Sequence, residues 1–235
     1  MMDAGARETT RIRDAYSGRV ARLTEAGLYS PANEAHLFAI QGRQRALLRA
    51  LRREGFWPLD DKDVLEVGCG GGNVLLELLG YEANPERLRG VDLLAERVAV
   101  AGRRLPHLAL GCASGEHLPY ADRSFDLVLQ FTVFSSILDR RICYTVANEI
   151  RRVLRPGGAI LWYDFWINPV NKQTRGIRPA EIRRYFPNSR YRFDRITLAP
   201  PLARRLVPIS WSGALLLENL GFLNTHYLAI IRPIE

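Results

Sequence analysis

The groups best able to do chemistry are two acids set around a run of glycine. In VLEVGCGGG (residues 64–72), Glu66 precedes Gly68, Gly70, Gly71 and Gly72, and Asp92 lies twenty residues beyond Gly72. Glycine costs roughly 0.5–1 kcal/mol in regular structure and is used where φ must be positive or a ligand crowds the backbone. Glycines this dense, directly after a strand-like run, read as a turn built to hold something. Groups able to move a proton come elsewhere. Asp164 closes the apolar run AILWYDF, and there are four histidines, His36, His107, His117 and His226. His107 and His226 fall in predicted strands, His117 on a loop and His36 on an N-terminal helix.

Those residues need a scaffold. Residues 33–54 put Leu37, Ile40, Leu47, Leu48 and Leu51 near one face of a helix, and the first 55 residues read as helical. From Val64 onward, short apolar runs alternate with helical stretches. Strands are expected at 64–68, 88–94, 107–111, 125–132, 159–165, 191–199 and 225–233. Helices are expected at 73–80, 95–105 and 140–154, the last stopped by Pro156-Gly157-Gly158. Interleaving of this kind gives a parallel α/β sheet with helices on both faces. Ligands of such sheets bind beyond the carboxyl ends of the strands, where Glu66, Asp92 and Asp164 all fall. The segment LARRLVPISWSGALLLENLGFL reads as an apolar helical insertion at about 200–223, a lid over the site, a patch for a lipid-like acceptor or a plain core helix, with Arg204 and Arg205 able to make at most a weak membrane-surface contact. Residues 1–60 are expected to form a helical cap belonging to the same domain as the core at 61–235.

Composition narrows the function classes. Of 235 residues, 47% are apolar and 25% charged, which is globular. The net charge of +8 invites a nucleic-acid reading. However, all but two of the 33 basic residues are arginine, and they are scattered, with no patch. No nucleic-acid partner is expected. Three cysteines, Cys69, Cys112 and Cys143, are too few and too widely spaced for a zinc site or a disulfide framework. The polar start MMDAGARETTRIRDAY is no signal peptide, and no apolar run reaches the ~18 residues of a membrane span. A cytoplasmic, reduced protein is expected.

A strand–GxG–helix turn serves dinucleotides or S-adenosylmethionine. The dinucleotide fingerprint places glycine at the sixth position, where helix and strand close around a pyrophosphate. That position is Asn73. Glu66 sits poorly beside a pyrophosphate and well beside an ammonium group, while Asp92 can accept ribose hydroxyls in either case.

With VLEVGCGGG, GVDLL, LPYADRSFDLVL and VLRPGGAILWYDF in order and correctly spaced, the sequence resembles the class I S-adenosylmethionine-dependent methyltransferases. The resemblance is to the small-molecule branch of ubiquinone/menaquinone and antibiotic-sugar type, and it is clearest over residues 40–165. It implies a Rossmann-like methyltransferase fold, a mostly parallel seven-stranded sheet with an antiparallel last strand. It implies that Glu66 and the backbone of Gly68, Cys69 and Gly70 hold the methionine amino group, with Arg43 on its carboxylate. Asp92 would take the ribose hydroxyls, Leu93 would lie against the adenine, and Ala113 and Ser114 would line the adenine edge. The Gln130 carbonyl would face the methionine end. Relatives carry aspartate where this chain has Cys112, a poor acceptor for the adenine amino group. The stretch YDF…NP…N…RGI is similar to methyltransferases of glycan and secondary-metabolite synthesis. The expected reaction is methylation of a small glycan, lipid-like or secondary-metabolite acceptor, O-methylation ahead of C- or N-, with Asp164 and His36 as candidate bases and no metal. A catalytically silent cofactor-binding subunit is the non-enzymatic alternative.

Overall fold

The computed structural model describes residues 7–16, 27, 28, 30, 32–167, 171 and 173–234. Of the expected helical first 55 residues, 7–16 (α1) and Glu34–Arg53 (α2) are helical; 1–6, 17–26, 29 and 31 lie outside the described residues. Asn33 caps α2, its side chain accepting from the His36 amide at 3.1 Å.

Seven strands follow: β1 (Val64–Val67), β2 (Leu88–Asp92), β3 (Ala109–Cys112), β4 (Phe125–Phe131), β5 (Leu154–Phe165), β6 (Ser189–Leu198) and β7 (Asn224–Pro233). They form one sheet ordered β3-β2-β1-β4-β5-β7-β6. The pairings from β3 to β5 are parallel, and β7 runs antiparallel to both of its neighbours. Strand order reverses between β1 and β4, so the crevice beyond Val67 and Phe131 is the switch point where such sheets hold ligands.

Strand alternation divides the core into two layers. Leu127, Leu129, Leu161 and Tyr163 face Leu47 and Leu51 of α2 and Leu75 and Leu78 of α3 (Asn73–Leu79). Leu65, Val67, Val128, Ile160 and Trp162 face the other way, onto α5 (Arg140–Val153), which buries Ile142, Val146 and Ile150 at four-residue spacing, and onto Ile182 and Tyr185 of α6 (Pro179–Tyr185). Between β2 and β3 runs α4 (Ala95–Arg104). Each fully buried side chain of this kind is worth about 1.5–3 kcal/mol, which fixes the strand ends to which the acids are attached.

Two expectations change. Strand β5 begins at Leu154, not at 159, because Leu154 pairs with Phe125 before the register moves to Ala159 opposite Leu127. The Arg155-Pro156-Gly157-Gly158 stretch is a bulge within the ladder, with Gly157 at φ +77°. The apolar insertion is two helices, α7 (Pro200–Leu206) and α8 (Trp211–Asn219). A turn at 207–209 containing Pro208 separates them, and Ser210 caps α8 by accepting from the Gly213 amide at 3.0 Å. Because β6 runs parallel to β5, it delivers the chain to α7 at the same edge of the sheet as the glycine turn.

Candidate cofactor site

Strand β1 ends in a turn that only glycine can make. Gly68, Gly70 and Gly72 have φ of +75°, +54° and +80°. A Cβ on Gly68 would stand 2.4 Å from Val133 Cγ2, and one on Gly72 would stand 2.7 Å from Leu105 Cδ1. The Gly68 and Cys69 amides donate to the Val91 carbonyl at 2.7 and 2.9 Å, which ties the turn to β2. Cys69 contributes backbone; its buried thiol is pushed up to about 12, first by desolvation, and stays protonated.

Asp92 anchors the same turn from β2. Its Oδ2 accepts from the Gly70 amide at 2.8 Å and its Oδ1 from the Leu94 amide at 3.0 Å. Two backbone donors fix the carboxylate's plane, and each oxygen retains lone pairs for a diol.

Glu66 is only 2% exposed, and its Oε2 has no hydrogen-bond partner. Burial pushes its pKa up to about 8; Arg43 opposes this, while Glu77 and Asp92 reinforce it. An orphaned buried carboxylate oxygen calls for a cationic donor, and an amino-acid ammonium fits it.

Arg43 of α2 is ion-paired with Glu77 of α3. Its guanidinium lies 5.6 and 5.7 Å from the ring centres of Phe131 and Tyr163, and its Nε is unpartnered. Gln130 is fully buried; its Oε1 accepts from the Val133 amide at 3.3 Å and its Nε2 has no partner.

A cavity of about 140 Å³ opens between the ends of β1, β2 and β4. Of the sequence-predicted residues, Gly68, Asp92, Leu93, Ala113 and Ser114 line it. Glu66, Cys69, Gly70, Cys112, Gln130 and Arg43 stand behind or beside it, and Asp164 and His36 are not in its wall.

Helix α1 roofs the cavity. Glu8 accepts from the Leu138 amide at 2.7 Å, and the Tyr16 hydroxyl meets Ser136 Oγ at 3.1 Å. Arg97 lies 4.8 Å from the Tyr16 ring centre and reaches the space beside Gly70. Sequence reading placed 7–16 in the expected helical cap but named none of its side chains, and it missed Arg97. The available signal was position: Arg97 falls in the first turn of the helix after Asp92.

Asp164 is buried, its Oδ2 accepting from the Ser135 amide and its Oδ1 from the Phe165 amide, both at 3.0 Å. Burial raises its pKa to about 7 against those hydrogen bonds. His36 sits half-buried on the first turn of α2, its pKa lowered by burial and then by Arg43. His226 stacks on Tyr163 at 4.9 Å, and burial takes its pKa down to about 3, so it is neutral. Asn168 and Pro169 of the YDF…NP stretch lie outside the described residues. Among the described residues no cluster of three or more metal-capable side chains occurs.

Cys112 is exposed at the end of β3, its thiol 3.6 Å from the Leu93 carbonyl. Cys112→Asp supplies an acceptor beside Ala113 and is expected to tighten S-adenosylhomocysteine binding about tenfold or more in calorimetry. Unchanged affinity would mean that the adenine amino group is already satisfied.

The fold and this turn are similar to those of class I S-adenosylmethionine-dependent methyltransferase domains. A family described as "Methyltransferase domain" matches residues 65–162. The chain is 37% identical over 108 residues to a fatty-acid O-methyltransferase of Mycolicibacterium smegmatis, covering 45% of this chain and 38% of that one. It is 28% identical over 116 residues to tRNA N(3)-methylcytidine methyltransferase Mettl2 of Drosophila melanogaster, covering 46% and 35%. The aligned part spans less than half the length of these curated relatives. In fold, it is similar to a structure described as a complex between the Haloferax volcanii Trm112 methyltransferase activator and the putative methyltransferase, with a TM-score of 0.59 and 19% identity over 86% of this chain and 99% of that one.

Proposed function

We propose that this protein transfers a methyl group from S-adenosylmethionine to the hydroxyl or carboxyl oxygen of a small, lipid-like acceptor. The observation that carries the cofactor half is the unpartnered Glu66 Oε2 behind a positive-φ glycine turn, with Asp92 already oriented by two amides. The acceptor half is supported by the fatty-acid O-methyltransferase likeness and by the apolar helices α7 and α8 at the same sheet edge.

When bound, S-adenosylmethionine supplies a methyl carbon made electrophilic by its sulfonium. Everything else is the work of the chain. Glu66 holds the ammonium, helped by the backbone of Gly68, Cys69 and Gly70. Asp92 holds the ribose diol, Leu93 packs against the adenine, and Ala113 and Ser114 line its edge. The Gln130 carbonyl borders the methionine end, and Arg43 attends its carboxylate. Alignment of an activated electrophile with a bound nucleophile can supply much of the acceleration.

His36 is the base favoured by this reading, because a lowered pKa leaves its imidazole neutral near pH 7. Asp164, with both oxygens taken up by backbone amides, holds the loop carrying Ser135. His36→Gln is therefore expected to lower kcat by roughly 10²–10⁴ with cofactor affinity unchanged. Wild-type activity is present above the histidine pKa and lost on acidification, with the acid limb below the ordinary value of 6.5. Asp164→Asn is expected to keep turnover while costing about 1–3 kcal/mol of stability, since its NH₂ faces an amide donor. If Asp164→Asn loses turnover and His36→Gln keeps it, the assignment reverses. Full turnover in both across pH 6–9 would exclude a hydroxyl that needs a base and favour a carboxylate, already ionised at those pH values, or a carbon or amine acceptor.

The acceptor is tested by incubating the protein with labelled S-adenosylmethionine and, separately, fatty acids, hydroxylated lipids and tRNA. Label in a lipid supports the reading. Label in tRNA overturns it, and no label anywhere supports a cofactor-binding subunit.

A further inference from the structure

The surface of α7 and α8 is unlike the rest of the molecule. Ile209, Leu216, Leu220 and Phe222 are 83%, 66%, 54% and 63% exposed. Leu216 lies on the outer face of α8 and Leu220 one turn further on at its C-cap, with Ile209 just before the helix and Phe222 just after it, beyond the left-handed Gly221. A nine-residue helix is about 13.5 Å long, so the four large side chains are confined to one small lobe. Large apolar side chains gathered on a surface mark a contact site rather than chance exposure.

The lobe's inner face is firmly held. Ala214 is fully buried, and Trp211 packs edge-on against Phe38 of α2 with ring centres 5.3 Å apart. Protrusion of the outer residues is thus not looseness of the helix.

Charge separates the candidate occupants. Arg204 and Arg205 are exposed on the last turn of α7, which packs on α8. The only acid between residues 200 and 223 is Glu218, and it is turned inward onto Arg45 at 3.3 Å. What the segment offers outward is apolar side chains with an arginine pair and no acid. Such a surface complements an anionic bilayer, whose headgroups take the guanidinium groups while its acyl boundary takes leucine and phenylalanine.

We propose that the α7–α8 lobe docks this protein on anionic membrane surfaces. The contact proposed is a peripheral one; no helix among the described residues is long and apolar enough to cross a membrane. Topology gives it a use, because α7 and α8 leave the sheet at the edge where β1, β2 and β4 open on the cofactor cavity. A docked enzyme presents that edge to the bilayer. The docking goes beyond the methyl-transfer reading, and its readout needs no turnover.

The test is co-sedimentation of the full chain with vesicles of phosphatidylcholine alone and of phosphatidylcholine with phosphatidylglycerol. The wild type is expected to pellet with the anionic vesicles and to dissociate as salt rises. Arg204→Gln/Arg205→Gln should weaken that binding about tenfold or more. Leu216→Ser/Phe222→Ser should weaken it about tenfold or more at every salt concentration. Both variants replace exposed side chains, and retained S-adenosylhomocysteine binding and melting temperature confirm that they fold. Absence of wild-type binding, or equal binding by the serine variant, overturns the proposal. So does light scattering that shows a dimer dissociated by the serine substitutions, because the lobe would then be covered by a second copy.

Discussion

Binding of S-adenosylhomocysteine at pH 7 is expected to release close to one proton from the protein. Glu66 has its pKa pushed up to about 8 by burial, so at pH 7 about nine-tenths of it is protonated. An ammonium group brought against its unpartnered Oε2 favours the carboxylate, and the proton leaves to solvent. Affinity should then rise up to about tenfold per pH unit between pH 6 and 8 and level off above 8. Stability of the free protein moves the opposite way. The folded-state pKa lies above the ordinary carboxylate value of 4.5, so the stabilisation of the protonated form is fully present below that value, and stability falls as pH rises through about 8. Titrations at pH 7 in buffers of different ionisation enthalpy read the released proton directly. Glu66→Gln should abolish the buffer dependence and flatten the pH dependence. Identical heats for the wild type in every buffer would mean that Glu66 is ionised before binding or that the ammonium lies elsewhere.

Asp92→Ala is expected to carry the largest loss of cofactor affinity, on the order of 10²–10⁴-fold. The carboxylate holds the Gly70 and Leu94 amides and, in the bound state, two ribose hydroxyls. Charge-assisted bonds are worth roughly 1.5–3 kcal/mol each, and Gly70 lies in the turn that cradles the ligand. Asp92→Asn retains one acceptor oxygen and should lose less, about tenfold. Asp122→Ala, on the exposed loop before β4, is the control and should bind as the wild type does. Equal binding by wild type and Asp92→Ala would remove Asp92 from the site.

The centre of the sheet was legible because β1, β2, β4 and the second half of β5 are buried at nearly every residue and read as near-continuous apolar runs, and because glycine in VLEVGCGGG answers a steric demand visible in the residue types alone. Asp92 was legible for the same reason: its place at a strand end follows from the spacing of apolar runs. What stayed hidden depends on contacts between distant segments. Arg43 meets Glu77, 34 residues on, across two helices. The β5 ladder continues through Pro156 and Gly158 because Phe125 offers it a partner, something no local pattern encodes. Helix α1 has a polar, charged sequence with no strong apolar stripe, and becomes a cavity roof through Glu8 and Tyr16 reaching Leu138 and Ser136. Asp164 sits at a strand's carboxyl end as expected, yet the amides of Ser135 and Phe165 occupy it, which strand position could not reveal.

The central claim is that the turn between β1 and α3, with Asp92, holds S-adenosylmethionine. Calorimetric titration of the full chain with S-adenosylhomocysteine and with NAD tests it most directly. A micromolar dissociation constant for S-adenosylhomocysteine, about −8 kcal/mol, with no heat from NAD is the predicted result. Binding of NAD, or no binding of S-adenosylhomocysteine by a folded protein, would contradict it.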